Sequence, residues 1–196
     1  MEGHPPAAPR QCPRLRGHRK LTRPLRQGQR GVCMNAEDYR ILILRDLAGL
    51  ALQLKAYPDE SMLWQKTPGI GNAPGNIALH IAGNLQTYIG TELGQTGYVR
   101  DRDAEFARRD VPLATLLVEL EAASSAVDDT LRQIDAARMP EAFPVKFGQV
   151  QPTTQRFLAH LCTHLAYHLG QVDYHRRITT GDGALEAIQS LAPLGD

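Results

Sequence analysis

Residues 153–179 read TTQRFLAHLCTHLAYHLGQVDYHRRIT. Leu158, Leu161, Leu165 and Val172 recur at the three- and four-residue steps of one buried helix face. Thr153 or Thr154 can cap the start, and Arg176 and Arg177 near the end suit the negative pole of the helix dipole. The same run carries four of the chain's seven histidines. At about 100° per residue, His160, His164, His168, Gln171 and His175 fall in a stripe about 80° wide. The stripe borders the apolar face, so these side chains should look toward the interior of whatever the helix packs against.

Three more helices follow from the rest of the chain. The first spans about 35–56, with Ile41, Leu44, Ala48 and Ala51 on its apolar side, and YPDES ends it because the residue before a proline resists helix. The stretch 58–73 reads as a loop carrying the only tryptophan, Trp64. The second helix spans about 73–93, with Asn72 as its cap and Pro74 in its first turn, and the glycines of GTELGQTG close it. YVRDRDAEFARRD (98–110) reads as a charged, exposed loop. The third helix spans about 111–136 from an Asp110 cap, with Leu113, Leu116, Leu117, Leu120, Val127, Leu131 and Ile134 facing inward. Residues 138–152, with Pro140, Pro144 and Pro152, form an extended connection. No stretch alternates as a strand would. The expectation is an all-α protein, a four-helix bundle over residues 34–180, followed by a tail at 181–196 with one short helix at 184–191.

Composition narrows the function. Hydrophobic residues make up 42% and charged residues 22% of the 196-residue chain, which suits one folded domain. No apolar run approaches a membrane span, and no signal-peptide core is present, so no membrane role and a bacterial cytoplasmic location are expected. The three cysteines, Cys12, Cys33 and Cys162, form no C-x-x-C pair. On the helix, Cys162 points away from its neighbours His160 and His164.

The net charge of +1 conceals an asymmetry, because residues 1–33 hold eight Lys/Arg against one acid. That segment reads as a disordered basic extension, and Met34 opens MNAEDYRILILRDL like an ordinary start. The remainder is acidic, which argues against nucleic acid as the domain's partner.

Two histidines at i and i+4 on a helix can address one metal ion, and a catalytic zinc site needs a third ligand. The one other histidine of the folded segment is His80, in GNIALHIAGNL on the second helix. Its face also carries Asn76, Asn84, Thr87 and Tyr88. Other site chemistries lack their motifs. No Glu-x-x-His and no H-E-x-x-H occurs. GIGNAPG (69–75) has the wrong glycine spacing for a dinucleotide loop and no strand before it, so it reads as a turn.

HLCTHLAYHLGQ (160–171) and PGNIALHIAGNLQTYIG (74–90) closely resemble the fourth and second helices of the DinB-like superfamily, the YfiT-like metal-dependent hydrolases. The resemblance covers about 35–180. It implies a four-helix bundle that binds a divalent metal, zinc or nickel, through His80, His164 and His168. It also implies a metal-dependent hydrolase, or a transferase of a low-molecular-weight thiol, acting on a small electrophilic substrate. A non-catalytic metal-binding module in stress response or regulation is the alternative, and a homodimer is compatible with such bundles. Asn84, His160, Gln171 and Tyr88 are the candidates for orienting ligands or substrate, and Trp64 for roofing the pocket.

Overall fold

The computed structural model describes residues 34–185 and 190–195. The basic segment 1–33 lies outside the described residues, as do residues 186–189 of the short helix expected at 184–191. Five α-helices are present: α1 Ala36–Lys55, α2 Pro74–Leu85, α3 Arg102–Ala107, α4 Leu113–Gln133 and α5 Thr154–Thr180. Among the described residues there is no strand, only two isolated bridges within 142–153.

Four of these helices form the bundle. Both α1 and α2 pack along α4 and α5, so α1 and α2 occupy opposite corners, and α4 and α5 the other two. The connections 56–73 and 134–153 therefore cross the bundle instead of joining neighbours. α2 runs without a break into a π turn, Gln86–Thr91. The core gathers Ile43, Leu47, Leu50 and Leu54 from α1, Ile77, Ile81 and Leu85 from α2, Leu116, Leu120 and Val127 from α4, and Leu158, Leu161, Leu165 and Val172 from α5. Each such side chain contributes about 1.5–3 kcal/mol on burial.

Local chemistry sets the ends. Asn35 and Asp38 cap α1 reciprocally, each side chain bonding the other's backbone N–H. Thr153 caps α5 through its hydroxyl, and Gly181, at φ +79°, ends it in the left-handed conformation. Two caps differ from expectation. Ala73, not Asn72, precedes α2 and supplies no side-chain bond; Pro74 takes the first position, where its missing N–H costs nothing. α4 starts after Pro112, while Asp110 sits in the preceding loop at φ +54°.

The buried face of α1 also differs. Ile43, Leu47, Leu50 and Leu54 form the buried face; of the expected set, Leu44 and Ala51 pack partly buried at its edge, while Ala48 is exposed. The run ILILRDLAGLALQL supports both registers, and the leucine-rich one removes more apolar area from water. Trp64 ends a short 3-10 turn, Glu60–Trp64, and packs on Gly75, where a Cβ would come within 2.6 Å of the indole. It anchors the start of α2.

Arg176 is 1% exposed, so it is a core residue and not a surface partner of the helix dipole. Its Nε donates to Gln53 Oε1 at 2.6 Å and its Nη2 donates to the Gly183 carbonyl at 2.7 Å. Gln53 in turn donates to Asp173 at 2.7 Å. The network ties α1, α5 and the following segment together. Replacing Arg176 with alanine leaves the Oε1 of the fully buried Gln53 without its donor, so a loss of about 3 kcal/mol is expected in urea unfolding of the full chain.

Candidate metal centre

α2 and α5 occupy adjacent corners, and their facing sides carry His80 on one and His164 and His168 on the other. The Nε2 atom of His164 lies 3.4 Å from that of His80 and 3.2 Å from that of His168. One ligand atom from each of the three falls within 4.8 Å of the others. His80 is buried, and the α5 pair is half-buried.

The outer ring nitrogens decide what the inner ones can do. His80 Nδ1 faces Glu105 Oε2 at 3.1 Å, and His168 Nδ1 faces the Gln171 amide oxygen at 2.8 Å. The Gln171 oxygen accepts, which puts the His168 proton on Nδ1. His80 Nδ1 also lies 3.2 Å from the donor Arg100 Nη2, but that guanidinium is engaged with Glu105 and the charged carboxylate is the nearer partner, so we assign the His80 proton to Nδ1 as well; both Nε2 atoms then present lone pairs. The Nε2 of His164 between them can supply one hydrogen at most. At least one lone pair is therefore unanswered within the trio, and a single cation would answer all three. Burial, and then the neighbouring His168 and His80, pushes His164 down to about 4, so at neutral pH its ring is uncharged, as a metal ligand must be. The donor set fits a divalent ion of the zinc or nickel type, for which imidazole is a favoured ligand.

Glu105 is the functional residue that sequence reasoning missed. Segment 98–110 is not wholly an exposed loop: it contains α3, capped by the Asp101 side chain, and α3 delivers the Glu105 carboxylate, 5% exposed, to His80. Six residues are too few to show a period, although the cap and the acidic first turn were legible. Arg100 brackets the same carboxylate, its Nε donating at 2.6 Å and its Nη2 at 2.8 Å. Burial pushes the Glu105 pKa up, but the bonds from His80 and Arg100 prevail and hold it below the usual carboxylate range. Asn76 on α2 fixes α3 in place by donating to the carbonyls of Glu105 and Arg108 at 2.8 and 3.0 Å. Gly83 leaves the space: a Cβ there would collide with Glu105 Oε1.

The remaining candidates separate. Gln171 touches His168 directly. His160 is exposed and stacks on His164 with ring centroids 5.8 Å apart, outside the trio. Asn84 is buried one turn after His80, and its Oδ1 has no partner among the described residues. Tyr88 joins an aromatic group with Phe143, Phe147 and Phe157. His175 leaves the stripe's common purpose: it is buried, with Nδ1 2.8 Å from the Tyr57 hydroxyl and Nε2 3.0 Å from the Gln65 carbonyl. Two clefts open at the ends of the histidine row. One, of about 480 Å³, is lined by Gln171, Tyr167, Ile77 and the 69–72 turn. The other, of about 500 Å³, is lined by His160, Asn84, Tyr88 and Phe157.

A family model described as the DinB superfamily matches residues 45–172. No curated protein and no solved structure gives a match to the chain. No described helix is long and apolar enough to cross a membrane.

Two outcomes follow from this geometry. Gly83→Ala displaces the Glu105 carboxylate, and Glu105→Gln weakens its hold on the His80 proton. Each should lower zinc affinity about 10- to 100-fold in a chelator competition titration, without removing a ligand. Burial pushes the Cys162 thiol up to about 12, so at pH 8 only about one part in ten thousand is thiolate. Iodoacetamide mapping should find Cys162 unmodified in the native protein and modified in urea.

Proposed function

The chain belongs to the DinB superfamily, and from that premise we propose that it is a metal-dependent enzyme acting on a small electrophilic substrate. The reaction is transfer of a low-molecular-weight thiol or hydrolysis, and His80, His164 and His168 are the residues that would hold the zinc or nickel ion. The observation that carries the reading is the convergence of three Nε2 atoms whose lone pairs cannot all be answered by one another. A divalent ion on three neutral imidazoles keeps its full charge and lowers the pKa of a bound thiol or water toward neutrality.

The chain's own residues do the rest. Glu105, braced by Arg100, holds the Nδ1 proton of His80, and Gln171 holds that of His168. Both rings are thus fixed in one tautomer and one orientation. Cys162 is not the nucleophile: its thiol is protonated, and it lies away from the histidine row. The nucleophile must come from outside the protein. The two clefts, one at each end of the row, support joining two molecules over splitting one, and so favour thiol transfer over hydrolysis.

The test begins with metal. Full-length protein without a histidine tag should carry about one equivalent of zinc or nickel by mass spectrometry, and His80→Ala and His164→Ala should each lose it. The loaded protein should then consume a thiol in the presence of a small electrophile, while the His80→Ala protein should not. A folded parent that stays metal-free after incubation with both ions would falsify the reading. Loading without turnover on any thiol or ester would instead make it a non-catalytic metal-binding module.

A further inference from the structure

The cleft beyond His160 has a chemistry that the metal site does not explain. Its wall is aromatic. Phe147 and Phe157 lie nearly parallel, with centroids 4.9 Å apart and planes inclined by 22°. Tyr88 stands edge-on to both, at 5.6 and 5.2 Å. Such a surface takes a flat apolar body, by stacking or edge contact.

At its rim is a single charge. Arg156 is exposed, lines the cleft, and its guanidinium has no ion pair or hydrogen bond among the described residues. The other cation nearby, Arg100, lies over the Tyr88 ring at 5.9 Å but is paired with Glu105. Two polar side chains complete the lining. Asn84 is 8% exposed with an unpartnered Oδ1, and His160 stacks between Phe157 and His164.

We propose that this cleft binds a small organic carboxylate with a planar apolar body, its carboxylate on Arg156 and its ring against Tyr88, Phe147 and Phe157. A carboxylate fits better than a phosphate. Only one guanidinium is free, and it matches a planar, singly charged group through a forked pair of bonds. The start of α5, which would otherwise attract phosphate, has no N–H to offer. The N–H groups of Thr154 and Gln155 donate to the Glu141 and Met139 carbonyls at 2.8 and 2.9 Å. Those of Arg156 and Phe157 donate to Thr153. Because His160 joins the cleft to His164, a ligand held there presents its far end toward the histidine trio. As a statement of substrate class the proposal rests on the metal-enzyme reading; as a binding site it does not.

The experiment uses the full chain, with and without chelator, and 2-naphthoate as the probe, titrated calorimetrically. Its uncharged amide, 2-naphthamide, and inorganic phosphate are the comparison ligands. Saturable binding of 2-naphthoate to the parent is expected, weakened at least tenfold by Arg156→Gln and comparably by replacing the carboxylate with the amide. Phe147→Ala should weaken both naphthyl ligands. Arg156→Gln should leave zinc content unchanged, since Arg156 is not one of the three histidines' partners. Equal affinity of parent and Arg156→Gln for the probe overturns the assignment, as does absence of binding. Phosphate competing as well as naphthoate would also overturn it, in favour of a general oxyanion site. If Arg156-dependent binding persists while zinc never loads, the carboxylate site stands and the metal reading falls.

Discussion

Three imidazole nitrogens, those of His80 and His168 held 3.4 and 3.2 Å from that of His164, are the constraint on which the seam between α2 and α5 depends. In water each lone pair would find a hydrogen. In the seam between α2 and α5 they find mainly one another, and the one hydrogen that His164 could supply cannot serve both of its neighbours. The surroundings reinforce the arrangement instead of relieving it. Glu105 and Gln171 fix protons on the outer nitrogens and so commit the inner ones to acceptance. Asn76 secures the short helix that carries Glu105, and Gly83 clears the space it enters. So many side chains in support of an arrangement unfavourable by itself fit a site that could hold a cation.

Much of this was written in the sequence, unevenly. α5 was legible because it is long: its leucines repeat over many turns, and the histidine spacing rides on that period. His80 stood out by elimination on an apolar segment. The bundle followed from four such segments and the lack of any alternating one. What failed was short or ambiguous. α3 has six residues, fewer than two turns, so Glu105 and Arg100 dissolve into a charged run although their charges are turned inward. The ILIL run of α1 is apolar on nearly every side, and only the partners could choose its face.

Periodicity also misled where it worked best. His175 shares the stripe of His164 and His168, yet it closes a hydrogen-bonded link between Tyr57 and Gln65. Arg176 suits the helix dipole by position and lies instead in the core, bonded to Gln53. An angle around a helix says which direction a side chain takes. What it meets there depends on where the neighbouring helix ends, and here α2 begins only at Pro74, so beyond Gln171 the stripe runs past the histidine seam into the 56–73 crossing.

The corner-to-corner arrangement of the helices has a thermodynamic corollary. His80 and His164 are 84 residues apart in the chain, brought together only when α2 and α5 are both in place. An unfolded chain cannot reproduce that meeting, so whatever engages all three rings binds the native state alone. Its binding free energy then adds in full to the free energy of folding: about 2.7 kcal/mol when the free ion stands at one hundred times its dissociation constant. The supply of such an ion would thus set how much folded protein survives, and the histidine seam would serve as a clasp on the whole bundle.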